Sequence, residues 1–362
     1  MTTTSQHEMT VCNSCRYCEA YCPVFQAMET RLTFSAGDVA YLANLCHNCG
    51  ECLYACQYAP PHEFGIDVPR TFSALRVQTY EEAAWPTFMS AAFRRPWATT
   101  IGAAVCGAAL AALAARVPTA SRSAAAGPRV APGDFYAVIP HDVMVALVGL
   151  VAAFAAVALV MGWRRFARSM SSTGEPRART SAHLRDAARD ALTLRHLHTN
   201  GEDCVGAEEE RRPWRRWMHH CTFYGFLLCG ASTTVAAVYH LLFGWLAPYD
   251  YTSVPVVLGT VGGLGLLIGP AGLFAVDRRR DPALTHPTQA ALDGPFLATL
   301  FITSLTGLLL LALRAQSMMP TLLVVHLACV LALFATLPYG KFVHGIYRAT
   351  ALVKFRREET PT

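Results

Sequence analysis

CNSCRYCEAYCP, residues 12–23, sets Cys12, Cys15, Cys18 and Cys22 in one short run with Pro23 immediately after. The run CHNCGECLYACQ repeats the spacing at residues 46–57, with Cys46, Cys49, Cys52 and Cys56, and Gln57 where the proline would stand. Thiolates packed this densely are soft donors, suited to soft metal centres. Most of the chain beyond residue 95 is apolar, so the fold question is what a metal-binding head does on an oily body.

C-x2-C-x2-C-x3-C-P is the spacing of bacterial two-cluster ferredoxins. Three close cysteines wrap one face of an iron–sulfur cube, and the fourth reaches across to the other cluster. This assigns Cys12, Cys15, Cys18 and Cys56 to one [4Fe–4S] cluster, and Cys46, Cys49, Cys52 and Cys22 to a second. Two structural zinc sites are the alternative, but zinc favours CxxC pairs separated by longer gaps over a four-cysteine run repeated whole. Cys106, Cys204, Cys221, Cys229 and Cys329 read as small packing residues, most of them inside apolar runs. Residues 1–11 hold no apolar signal core. The expectation is a cytoplasmic N-terminus, where thiols stay reduced and available to metal.

Of the 362 residues, 53% are hydrophobic and 15% charged, against about 25% charged in a soluble domain. Six apolar runs, roughly 97–115, 142–163, 220–246, 254–276, 295–313 and 320–338, each come near the length of a spanning helix. The connection 164–216 holds twelve arginines, and Arg278, Arg279 and Arg280 follow the fourth run. The alternate connections are poor in Arg and Lys. The positive-inside rule then puts both termini in the cytoplasm. The formal charge of +5 is spread over connections beside apolar runs. That favours lipid phosphates over nucleic acid, for which no reading motif is present. The expected fold class is mainly α: a ferredoxin-like two-cluster domain at 1–95 and a six-helix membrane domain at 96–355, with 164–216 as its basic cytoplasmic loop. Residues 117–133 read as a flexible outer loop. Residues 181–199 read as an amphipathic helix capped by Ser181, lying on the membrane or docking a partner.

Ionisable residues at membrane depth are costly and usually functional. His219 and His220 open the third run and His240 closes it, while His326 and His344 flank the sixth. On a continuous helix His326 and His344 share a face, five turns or about 27 Å apart. Antiparallel packing then pairs His240 with His326 on the outer side and His219 or His220 with His344 on the inner side. Two such pairs are the ligand set of two b-type haems. The alternative is histidines that pack or sit at the interface. His344, close to Lys341, has a quinone headgroup as its other candidate partner. Lys341 itself is a candidate quinone or haem-propionate contact. His141 opens the second run and receives no role. The glycines of GTVGGLGLLIG, 259–269, read as close helix packing.

No strand–GxGxxG–helix unit marks a nicotinamide or flavin domain, and no C-x-x-C-H marks covalent haem. No catalytic residue stands out. A two-electron donor must come from elsewhere, and a flavoprotein is the expected one.

CRYCEAYCPVFQAMETRLTF, PPHEFGIDVPR, LRHLHTNGEDC, HHCTFYGFLLC and LPYGKFVHGIYRA, in that order over residues of about 10–355, together resemble the tricarballylate- or citrate-utilization protein B family. The resemblance implies a bacterial inner-membrane partner of an FAD-dependent tricarballylate dehydrogenase. That enzyme oxidises tricarballylate to cis-aconitate, and the B protein reoxidises its flavin. The unit is also similar to the C-terminal part of a cobalamin-pathway fusion protein that has an N-terminal flavoprotein. The membrane half resembles the haem-bearing subunit of respiratory nitrate reductase, whose sixth-span-type histidines match His326 and His344; the third-span match leaves His219 or His220 open. The expected function is electron transfer from that flavoprotein through two [4Fe–4S] clusters and b-type haem to quinone. A stand-alone quinone-dependent oxidoreductase and a membrane iron–sulfur redox sensor are the alternatives.

Overall fold

Pro23 occupies the first position of a short helix, where its missing N–H removes no hydrogen bond. Much of the N-terminal head follows from such local signals. The computed structural model describes residues 2–118, 133–170, 181–199, 202–203 and 214–359. The head comprises α1 (Thr2–Cys15), α2 (Pro23–Glu29), α3 (Ala36–Leu45), α4 (Glu51–Tyr54) and α5 (Val68–Ala83). Ser35 caps α3 reciprocally. Its hydroxyl accepts from the Asp38 N–H at 3.2 Å, and Asp38 accepts from the Ser35 N–H at 3.0 Å. Such a cap is worth about 1 kcal/mol. Asp67 starts α5 by accepting from the Arg70 N–H at 3.1 Å. Phe25, Tyr41, Leu42, Leu45, Phe72 and Tyr80 are buried between these helices, each contributing roughly 1.5–3 kcal/mol. The ferredoxin spacing therefore sits in a helical head. The pairing of His198–Thr199 with Glu202–Asp203 is the only strand pair among the described residues.

Six helical stretches are long and apolar enough to cross a membrane. They are α6 (Pro96–Ala114), α8 (His141–Ser169), α10 (Trp214–Phe243), α11 (Val254–Arg278), α12 (Pro287–Ala312) and the stretch Met319–Glu358. Two shorter helices, α7 (Phe135–Val138) and α9 (Ser181–Thr193), lie between them. Most of the loop expected at 117–133 lies outside the described residues, as do Cys204 and the Ser181 side chain.

Helix α10 lies along α11, α11 along α12, α12 along α13, and α13 along α6. Glycines set the first of these contacts. A Cβ at Gly262 would stand 2.9 Å from the Cys229 amide nitrogen and 2.9 Å from the Gly225 carbonyl oxygen. Only glycine lets the two backbones come this close.

The sixth stretch departs from the expected continuous helix. It comprises α13 (Met319–Thr336), a 3-10 turn at Leu337–Tyr339, and α14 (Val343–Glu358). Pro338 lacks the N–H that would continue the helix, and Gly340 adopts an extended backbone (φ −136°, ψ −165°). The five-turn arithmetic linking His326 to His344 therefore does not hold. Val343, Tyr347, Ala351, Leu352 and Phe355 of α14 join the same core as Tyr41 and Phe72. Arg31 pairs with Glu358 at 2.5 Å and with Asp38 at 2.7 Å, locking the end of α14 to the head. Helix α9 packs on α14, with Asp190 held by Arg356 at 2.5 Å.

Candidate functional site

The head brings the eight cysteines together around two separate hollows. Cys12 and Cys15 lie on the last turn of α1, and Cys22 is the N-cap of α2. Cys46 ends α3, while Cys49, Cys52 and Cys56 lie just before, within and after α4. Cys12, Cys15, Cys18 and Cys56 border one hollow of about 250 Å³, walled by Tyr17, Phe25, Tyr58 and Ile66. Cys22, Cys46, Cys49 and Cys52 border a second, tighter hollow of about 20 Å³, walled in part by His47 and Glu51. The grouping is crossed in sequence: each hollow takes three cysteines from one run and the last from the other. The residue after the second cysteine of each run, Arg16 (φ 54°) and Gly50 (φ 92°), is left-handed, so the same kink turns both runs.

The chemistry of these sulfurs suits a polynuclear centre. Among the described residues, no three His, Cys, Asp or Glu side chains converge at single-metal spacing. Four thiols around each hollow match the four cysteine ligands that an iron–sulfur cube takes. Burial, and after it the neighbouring Cys56, pushes the thiols of Cys12 and Cys18 up to about 12. Burial and Cys46 do the same to Cys22, and burial drives Cys52 well above its ordinary value. Thiolates crowded this way need positive charge among them, which iron supplies when bound. The Asn48 N–H already donates to the Cys46 sulfur at 3.3 Å.

Four arginines grip the loop of Cys46–Asn48. Arg76 of α5 donates to the Cys46 carbonyl at 2.6 Å, and Arg348 of α14 donates to the same oxygen. Arg215 of α10 donates to the His47 carbonyl at 3.2 Å and to the Asn48 carbonyl at 3.3 Å. Arg280, beyond α11, also donates to the Asn48 carbonyl. Asn48 donates to Thr285 at 2.9 Å. The second cysteine set is thus fastened to the head end of the spanning helices through its own backbone.

The structure places His219 beside His344, ring centres 6.1 Å apart and planes at 73°. Nδ1 of His344 donates to the Lys341 carbonyl at 2.5 Å, which leaves Nε2 for a ligand role. Nδ1 of His219 is buried with no hydrogen-bond partner. Two imidazoles with available nitrogens are a ligand set that fits a haem iron between them. His220 turns away, its ring stacked on Tyr224 at 5.7 Å. Lys341 forms an ion pair with Asp293 at 2.6 Å.

The other expected pair is not brought together. His240 stacks on His141, ring centres 3.8 Å apart. Nδ1 of His326 donates to the Thr306 hydroxyl at 3.1 Å, since that hydroxyl is itself given to the Ile302 and Thr303 carbonyls. Gly307 makes room for this ring, as a Cβ there would stand 2.9 Å from it. The physical reason is packing order. His240 ends a helix that lies along α11, whereas His326 belongs to α13, which lies along α6 and α12.

Sequence reasoning gave no site role to Arg76, Arg215, Arg280, Arg348 or His141. A signal was present for two of them. Arg215 precedes His219 by four residues and Arg348 follows His344 by four, one helical turn in each case.

A family model described as "Citrate utilization protein B" matches residues 93–362, and one described as "Citrate utilization protein B Fer4-like domain" matches residues 5–82. The chain is 46% identical over 352 residues to citrate utilization protein B of Escherichia coli, covering 97% of this chain and 91% of that protein. No solved structure matches it. A Fer4-like head joined to six membrane-competent helices, matched along nearly its whole length, makes this chain a member of the citrate utilization protein B family.

Proposed function

We propose that the chain is a membrane electron-transfer protein that reoxidises the flavin of a partner FAD-dependent dehydrogenase acting on tricarballylate or a citrate-related acid, and delivers the electrons to quinone. It works in the bacterial inner membrane with both termini in the cytoplasm; residues 1–95 form the cluster-bearing part, whose core takes in α14, and residues 96–355 carry the spanning helices. Cys12, Cys15, Cys18 and Cys56 hold one [4Fe–4S] cluster, and Cys22, Cys46, Cys49 and Cys52 hold the other. Iron–sulfur clusters accept and release single electrons, which divides the flavin's two-electron chemistry. His219 and His344 hold a b-type haem at the head end of the helices. His326, with Nδ1 committed to Thr306, offers Nε2 for a second. His240 and His220 are further axial candidates, and Lys341 is a polar contact for a propionate or a quinone.

The observation that carries this reading is one contact set. The loop of the second cysteine run is held by Arg215 and Arg348. These lie one turn from His219 and His344, the two rings that face each other.

The test is an optical spectrum of the detergent-purified chain, oxidised and then reduced with dithionite, with iron and haem quantified. Broad iron–sulfur absorption, about eight non-haem irons per chain and b-type α-bands are expected. Iron–sulfur absorption without haem overturns the histidine assignment. Absence of both overturns the reading altogether.

A further inference from the structure

The two hollows differ in their charged surroundings. Around the second, Arg76, Arg215, Arg280 and Arg348 aim their guanidinium groups at the carbonyls of residues 46–48. Arg76 Nη2 and Arg348 Nε are buried with no acceptor. Neither Arg76 nor Arg348 meets a carboxylate at ion-pair distance among the described residues. Lys341 adds a further cation nearby, but Asp293 neutralises it at 2.6 Å. Glu51 borders this hollow as the one carboxylate in its wall.

Around the first hollow the cations thin out to the exposed Arg16, which donates to the Asn13 carbonyl at 3.2 Å, and Glu8 adds a carboxylate to Glu51, which the two sites share. The carboxylates of Glu8 and Glu51 stand close enough to Cys12 and Cys18 to act on them electrostatically. This hollow also faces outward, beside the exposed Arg16 and Tyr17.

Adding an electron to a cluster adds negative charge, so neighbouring cations favour the reduced form and neighbouring anions oppose it. We infer that the four arginines give the cluster site of Cys22, Cys46, Cys49 and Cys52 the higher reduction potential of the two, making it the point from which electrons leave the head for the membrane. The inference rests on the function proposed above and adds an order to it. Electrons from the reduced flavoprotein arrive at the outward Cys12 side. Each onward transfer is one electron: the Cys12 side is oxidised by one, the Cys46 side is reduced by one, and no bond forms or breaks. Arg215 and Arg348 are positioning residues in this scheme, since they act through charge and through the loop backbone.

The test is an EPR-monitored redox titration of the purified full-length chain. Two midpoints are expected. Cys49→Ser should alter or abolish the signal that is reduced first, and Cys15→Ser the one reduced second; the opposite assignment overturns the inference. Arg348→Gln should lower the higher midpoint alone, by a tenfold change in the reduction equilibrium, which is about 59 mV for one electron. Arg348→Lys, which keeps the charge, should restore most of it. A higher midpoint unmoved by Arg348→Gln, or equal shifts in both, also overturns the inference. Where an arginine variant does not fold, the two serine variants decide the order by themselves. A chain with no iron–sulfur EPR signal at all overturns the proposed function as well, so the two failures are distinguishable.

Discussion

Arg348 reaches back across 302 positions of sequence to the carbonyl of Cys46. Its own helix presents His344 one turn earlier, facing His219 across 6.1 Å. One side chain therefore touches both halves of the molecule: the loop of a cysteine run and the helix of a membrane histidine. Arg215 repeats the relationship from α10, one turn before His219 and bonded to the carbonyls of His47 and Asn48.

The cysteine grouping predicts which metal content survives substitution. Cys18→Ala removes one ligand from the first hollow and Cys52→Ala one from the second. Each single variant is expected to lose about half of the non-haem iron and to stop electron transfer from reduced flavoprotein to quinone. Iron analysis with a stopped-flow assay of flavin reoxidation checks both. A normal rate in either variant would show that the route does not pass through that site.

His219 and His220 are adjacent in sequence but face different neighbours. His219→Ala is expected to abolish the haem signal at the head end, whereas His220→Ala leaves it in place. Reduced-minus-oxidised spectra of the two variants provide the comparison. Loss of haem only in His220→Ala would reverse the assignment.

The contact of α10 with α11 depends on having no side chain at Gly262. Gly262→Val places a branched side chain where even a Cβ comes within 2.9 Å of two backbone atoms. The expected cost is about 1–3 kcal/mol, or more if the helices separate. A thermal-unfolding series in detergent, with Gly230→Ala as the control because a Cβ there meets nothing, measures it.

Docking of α9 on α14 should depend on pH. Burial holds His196 below its ordinary value of 6.5, against the opposing pull of Asp190. A depressed histidine keeps its full contribution above its unfolded value and loses it as pH falls, because the buried neutral ring must take up a proton. Protection of residues 181–197 in hydrogen exchange, corrected for intrinsic rate, is therefore expected to weaken from about pH 7 to pH 5. His196→Gln should flatten that change. An unchanged slope in the variant would assign the dependence to another group.

Much was legible in the residues alone. The cysteine spacing marked a metal-binding head because ligand spacing is a local property of the chain. The six apolar runs gave the membrane-competent helices, since a spanning helix must satisfy its own backbone and announces itself by length and composition. GTVGGLGLLIG announced a close helix contact for the same kind of reason. What tertiary structure decided was adjacency. Which histidine faces which depends on the lateral order of helices, so His240 met His141 rather than His326. The break at Leu337–Tyr339 sent α14 out of the bundle and into the head core, moving His344 to the junction of the two halves. The arginine clamp joins residues from four distant parts of the chain. Hydrogen bonds to backbone carbonyls leave no mark at the accepting residue, because every residue carries that oxygen whatever its side chain.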